Sequence, residues 1–327
     1  MENQNKSPQE KTAKVRGFKL ANRVHFIKMR WLASLISGAV ILTGVVLFIA
    51  RGGFKLGIDF QGGTRVEVNI HSDNVNIEQI RELFIGNNID SSVNTVGDPL
   101  KQHYLITVTD LSKKMEINPT NITQKLIAHY GVSNIELLGS EEIGPKVAEN
   151  TGSRLFSLLL FVSLLILLYV ALRFDFLYGA GAVLALFHDL LIMGSFALVM
   201  DMPIDSTIIA AFLTILGYSI NDTIVVFDRI RENHKINPDE EYEMVMDRSI
   251  TQSMSRTLIT SLTTLFVAIS IAVWGGRVLS NFGIMLVVGI VSGTYSSVFV
   301  ASPVTFMLRK LIVKKQGSDK KAKKSEA

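Results

Sequence analysis

An α-helical membrane protein is predicted, with six transmembrane helices arranged one plus five and a ferredoxin-like α+β extracytoplasmic domain between the first and the second. Three observations predict it. Of 327 residues, 48% are hydrophobic and only 19% charged, with a mean hydropathy of +0.33; a soluble chain carries about 25% charge. The apolar residues gather into six runs of at least 18 residues, long enough to cross a hydrocarbon core of roughly 30 Å at about 1.5 Å per residue. Of the 33 lysines and arginines, 22 fall on one side of those runs and 11 on the other. That asymmetry puts the richer side, with both termini, in the cytoplasm.

The elements follow in order. Residues 1–29 form a polar, basic cytoplasmic tail that does not read as a cleavable signal. The first span is 30–50, and the extracytoplasmic insert is 51–153. Within the insert, 64–70 (TRVEVNI) alternates as a strand, and Ile77, Ile80, Leu83 and Phe84 have helical spacing. Residues 91–96 and 103–108 read as strands joined at Gly97-Asp98-Pro99. Residues 118–130 read as a second helix, capped by Asn118 with Pro119 first in the helix. The last strand is expected at 132–138. The order β-α-β-β-α-β is the ferredoxin-like arrangement. The insert carries no nucleophile motif, so it reads as a binding surface or a moving lever. The remaining spans are 154–172, 176–200, 206–227, 256–276 and the Gly- and Ser-rich 278–308, with a cytoplasmic loop at 228–255. The basic tail 309–327 reads as solvated, with anionic-lipid or ribosome contact as the alternative.

Two spans are broken by polar pairs, His188-Asp189 and Asn221-Asp222. A carboxylate costs roughly 2.5–3.5 kcal/mol at the centre of a membrane helix, which makes each pair a candidate for function. The plain reading of His188 is a satisfied helix contact. Arg256 opens the fifth run, either as a boundary anchor or as the partner of an intramembrane carboxylate. Asp228 and Arg229 stand at the end of the fourth run, where charge is ordinary. An aspartyl intramembrane protease would need Gly-x-Gly-Asp, which neither aspartate has. No His-Glu-x-x-His and no Walker A sequence is present, and there is no cysteine. No catalytic residue, cofactor, metal or nucleic-acid partner is therefore expected. The stretch LGIDFQGGT reads by itself as a turn entering a strand, its glycines allowing conformations closed to other residues.

Several motifs together carry a resemblance. LGIDFQGGT supplies Gly57, Asp59, Phe60, Gly62 and Gly63; EEIGPKVAENT precedes the second span; RFDFLYGAGAVLALFHD lies in the third; ILGYSINDTIVVFDRIREN, with Asp228 and Arg229, lies in the fourth; SRTLITSLTT lies in the fifth. From about residue 30 to 310 the chain resembles the SecD/SecF family, and within it the SecF subunits. The resemblance implies a non-enzymatic, multi-pass protein of the bacterial cytoplasmic (inner) membrane. It implies a SecD partner of similar topology and association with the SecYEG channel, with a small accessory subunit and a YidC-like insertase as further partners. The translocating polypeptide and membrane lipid complete the contacts, and the proton-motive force assists late protein export. The six-helix unit is similar to one half of an RND transporter. SecD-type sequences place their proton-linked Asp at the position matched here by Asn221, and Asp222 lies about 100° around the helix from it. Asp222 and Arg256 match SecF positions with charged groups near the subunit interface. With Asn221, Asp189 and His188 they form the proton-relay or interface candidates. The alternatives are half of an RND-type small-molecule exporter and a passive subunit that stabilises SecD.

Overall fold

The computed structural model describes residues 25–72, 75, 77–84, 89–95, 102–110 and 118–312. The expected turn at Gly97-Asp98-Pro99 and most of both basic tails lie outside them. In chain order the elements are α1 (Arg30–Arg51), α2 (Ile58–Gln61), β1 (Gly63–Ile70), α3 (Ile77–Glu82), β2 (Ile89–Thr95), β3 (His103–Asp110), α4 (Pro119–Tyr130), β4 (Ile135–Ile143), α5 (Pro145–Arg173), α6 (Phe176–Val199), α7 (Ser206–Ile236), α8 (Tyr242–Trp274) and α9 (Gly276–Ser296). A π-helical turn, Ser297–Ala301, carries α9 on towards Ile312. Among the described residues, six helices, α1 and α5 to α9, are long and apolar enough to cross a membrane.

The bundle has an inner and an outer set. In their most apolar stretches about half of α6, α7 and the α9 span is buried, whereas that stretch of α5 is only 6% buried and displays leucines outward. The outer helices α1 and α8 likewise expose Leu35 and Phe266, as lipid-facing surfaces require. Small residues bring the inner helices together. A Cβ on Gly289 would lie 2.3 Å from Ile215 Cγ1, and one on Gly293 would lie 2.9 Å from Ser219 Cβ. The spacing Gly289-x-x-x-Gly293 therefore fits α9 against α7 at near backbone contact, the usual solution where lipid offers no hydrophobic drive between helices.

One connection extends the sequence expectation and one differs from it. Helix α5 starts at Pro145, a residue suited to the first helical position, and runs on into the span predicted from 154. Most of the segment read as a loop, 228–255, is helical: α7 runs to Ile236 and α8 begins at Tyr242. The charged composition of this stretch concealed a buried seam. Ile230, Val245, Met246 and Ile250 are buried, and the Asn233 amide donates to Ser249 Oγ (2.8 Å) and Gln252 Oε1 (2.9 Å). Arg256 consequently lies in the middle of α8 rather than at its start.

The insert is a four-stranded sheet in the order β2-β3-β1-β4, with antiparallel pairs throughout. This is the ferredoxin-like order. Val66, Val68, Ile70, Ile106 and Val108 face Ile80, Phe84, Ile122 and Leu126 of the two helices, as the alternation in β1 and the helical spacing require. Asn118 Oδ1 caps α4 by accepting from Asn121 N at 2.9 Å. The last strand is displaced from its expected place. Residues 132–134 form a 3₁₀ turn, and β4 runs on to Ile143 because it pairs with the whole length of β1. As an edge strand it has little burial alternation, so periodicity gave no signal for its end. The opposite sheet face looks towards the α6–α7 turn across a cavity of about 410 Å³ that includes Arg65, Asn94, Thr107, Asp201 and Asp205 in its lining.

Candidate functional site

The Gly-Gly stretch joins the two parts of the molecule. Gly57 N–H donates to Ile204 O (2.7 Å), and Ile204 N–H donates to Lys55 O (2.8 Å). Asp59, on α2, accepts from Ser206 N–H at 2.6 Å and also from the Ser206 hydroxyl. Asp205 caps the same helix by accepting from Ile208 N–H at 2.9 Å. Two carboxylates thus serve the first turn of α7, where free N–H groups and the helix dipole favour negative charge. Burial pushes the Asp205 carboxyl up from the ordinary aspartate range; the Asp59 charge adds to this, while the Ile208 N–H and Arg65 oppose it. Phe60 packs beside Gly152 of α5. Gly62 (φ 79°) closes α2, and Gly63 (φ 144°) enters β1 where a Cβ would lie 2.7 Å from Val108 O. The pair is therefore required by backbone conformation and close approach.

Asp189 lies at the centre of the inner helices with no exposure to solvent. Its carboxylate accepts from Ser292 Oγ (2.6 Å), Ser219 Oγ (2.6 Å) and Ser296 Oγ (2.8 Å), so α6, α7 and α9 meet on one residue. His188 Nδ1 lies 3.2 Å from the same carboxylate. Its Nε2 lies 2.9 Å from Ser37 Oγ of α1, Ser37 donates to the Tyr295 hydroxyl (3.1 Å), and that hydroxyl donates to Ala33 O (2.7 Å).

Asp222 forms a second buried centre, between α7, α8 and α9. It is 2% exposed, and Ser261 Oγ of α8 lies 3.4 Å from its carboxylate. Ser261 in turn meets Thr294 Oγ1 of α9 at 2.7 Å and accepts from the Tyr218 hydroxyl at 3.2 Å. Arg256, about one and a half turns before Ser261 on α8, is exposed and, among the described residues, forms no ion pair. Asn221 is exposed one position away. Asp228 and Arg229 belong elsewhere: Asp228 pairs with Arg173 of α5 at 3.0 Å, and Arg229 pairs with Glu232 at 2.6 Å. The first ties α7 to α5, and the second lies within α7.

The sequence candidates thus divide into three groups: His188 with Asp189, Asp222 with Arg256 nearby, and the Gly-Gly junction. Sequence reasoning missed Ser206, Ser219, Ser261, Ser292, Thr294 and Ser296. The available signal was the density of Ser, Thr and Gly within apolar spans, where a hydroxyl needs a partner. Among the described residues, no three His, Asp or Glu side chains form a group able to hold a metal.

Comparisons with known proteins agree with this architecture. Residues 122–311 match the family described as protein export membrane protein SecD/SecF, C-terminal, and residues 47–71 match the SecD/SecF GG motif. The chain is 40% identical over 293 residues to a protein translocase subunit SecF from Rhodothermus marinus, covering 87% of this chain and 92% of that one. It is 35% identical to a protein translocase subunit SecF from Calditerrivibrio nitroreducens, covering 89% and 95% respectively. Among solved structures it is similar to SecDF from Thermus thermophilus, a translocon-associated membrane protein, with TM-score 0.78, 32% identity and 90% of this chain covered. SecDF in a super-membrane-facing form matches with TM-score 0.62, 30% identity and 91% coverage. The chain spans 40% of the length of each of these SecDF chains.

Proposed function

The chain belongs to the SecD/SecF family of protein export membrane proteins, among its SecF subunits, and from this premise we propose that it is a non-enzymatic auxiliary subunit of the Sec export machinery. It works with a SecD subunit in the bacterial inner membrane and uses the proton-motive force to assist late translocation of polypeptides. The observation that carries this reading is a carboxylate, Asp222, buried within a helix of spanning length beside a polar face that one chain alone leaves uncovered. On that face Thr214, Gly217 and Asn221 of α7 and Arg256 and Thr263 of α8 are exposed. Lipid contact with an arginine and an asparagine is unfavourable, so the face calls for a second polytopic chain. Protonation of Asp222, buried beside that face, alters the packing of α7, α8 and α9. The clasp between Asp59 and Ser206 passes movement of α7 to the insert.

Purification in mild detergent tests the assembly: a SecD chain is expected to accompany this one, with SecYEG components, a small accessory subunit and a YidC-like insertase in weaker association. Recovery of this chain free of any SecD chain sinks the reading. The termini and the α7–α8 turn are assigned to the cytoplasm and the insert to the outside. Single cysteines at Ser140 and Asp239, in a chain with no native cysteine, check this. An impermeant thiol reagent added to intact spheroplasts is expected to label the Ser140 position and not the Asp239 position; the opposite pattern inverts the topology.

A further inference from the structure

The hydroxyls around Asp222 form a chain in which each donor direction fixes the next. Thr294 Oγ1 lies 2.8 Å from Ile290 O and 2.7 Å from Ser261 Oγ, and Ser261 Oγ lies 3.4 Å from Asp222. Each hydroxyl has one hydrogen to donate. The Tyr218 hydroxyl donates into Ser261, leaving Ser261 to choose between Thr294 and Asp222. If Thr294 donates to Ile290 O, Ser261 donates to Thr294, and Asp222 is matched only when protonated, its own O–H donating to Ser261. If Thr294 donates to Ser261, Ser261 donates to Asp222, which is then matched as a carboxylate. Ile290 O keeps the N–H of its own helix either way. The two arrangements differ by one proton on Asp222 and the rotation of two hydroxyls, with no covalent change at Ser261 or Thr294.

We propose that Ser261 and Thr294 are positioning residues for the Asp222 proton step, a hydroxyl pair whose donor direction reverses as Asp222 gains or loses its proton and which thereby reports that step to α9. This rests on the reading of Asp222 as the proton-carrying group. Thr294 is well placed for the role. It sits in a single turn whose other members hold the rest of the bundle: Ser292 and Ser296 bind Asp189, Gly293 lies against Ser219, and Tyr295 bonds Ala33 of α1. The π-helical turn at Ser297–Ala301 follows at once, and such turns can shift register without breaking a helix. The titratable and charged groups facing Asp222 are few. On α8 there is Arg256, and on α7 there is Tyr218 acting through Ser261. On α6 the His188–Asp189 pair reaches α7 through Ser219, and on α5 Arg173 is engaged with Asp228. From α9 the contacts are hydroxyls.

The test measures proton-driven export in membrane vesicles holding this chain with its SecD partner, with the pH of both compartments varied at a constant difference. Ser261→Ala removes the hydroxyl donor of the carboxylate, so the profile is expected to move to higher pH by on the order of one unit. Thr294→Val takes away the competing acceptor and leaves the Ser261 hydrogen to Asp222, so the profile moves to lower pH. The double variant follows Ser261→Ala alone, and Ser261→Thr and Thr294→Ser restore the wild-type profile. Loss of amplitude with unmoved profiles, or movement of both single variants in one direction, overturns the proposal. Asp222→Asn in the same vesicles separates the two levels. If it keeps proton-driven export, the reading of Asp222 fails and the hydroxyl pair with it. If it abolishes export while Ser261→Ala and Thr294→Val leave the profile in place, the hydroxyl pair alone is refuted.

Discussion

Asp222→Asn is expected to leave the chain assembled with its SecD partner and to remove most of the proton-gradient-dependent part of export. Asparagine keeps the shape of the side chain and still accepts from Ser261, so packing between α7 and α8 changes little. It does not titrate. The membrane potential supplies about 2.3 kcal/mol per charge per 100 mV, and about 1.4 kcal/mol is a tenfold change. A step that loses this drive therefore slows by roughly 10- to 50-fold. Arg256→Ala is expected to cause a loss of the same kind, because its cation is the nearby charge that responds when Asp222 ionises. Arg256→Lys keeps the charge without the planar fork and should be milder. Export rates with and without an imposed proton gradient, on complexes first shown to be intact, check all three. Near-normal export from the Asp222→Asn complex would assign the proton step to the partner chain and leave Asp222 a hydrogen-bonded interface residue.

What the sequence discloses and what it hides follow from the range of the interactions involved. The apolar runs are local in composition, so all six spanning helices are visible. The ferredoxin-like order is visible because β1, α3 and α4 each repeat with one period. The end of β4 is hidden because an edge strand buries little, and the α7–α8 hairpin is hidden because its charges lie beside a buried seam. The pairs His188-Asp189 and Asn221-Asp222 stand out as polar interruptions, yet their division of labour cannot be read along the chain. Asp189 is completed by Ser219, Ser292 and Ser296, up to 107 positions away. Asp59 meets Ser206 across 147 positions, a contact that a Gly-rich turn gives no reason to expect. Hydroxyls in apolar helices are common, and only tertiary contact distinguishes those that bind a carboxylate.

Asp189 provides the sharpest test of that division. The donor directions around it can be followed from a fixed point, Ala33 O, which only accepts. Tyr295 donates to Ala33 O, so it accepts from Ser37; Ser37 has then used its hydrogen and accepts from His188 Nε2–H. With Nε2 protonated, Nδ1 faces the Asp189 carboxyl at 3.2 Å, so the ring and the three serine hydroxyls together partner a group whose burial alone would be costly. Such a pair, saturated by hydroxyls from α7 and α9, acts as an anchor. Asp189→Ala is expected to cost about 3–5 kcal/mol by stranding its buried donors, visible as a fall in thermal stability of the purified complex. Asp189→Asn keeps one acceptor oxygen, and its amide can donate to the serine hydroxyls, so the cost should be nearer 1–2 kcal/mol. The Asn variant is expected to export with a gradient dependence close to wild type. If the Asp189→Asn complex is intact but loses gradient-dependent export as Asp222→Asn does, Asp189 belongs to the proton path and the anchor assignment is wrong.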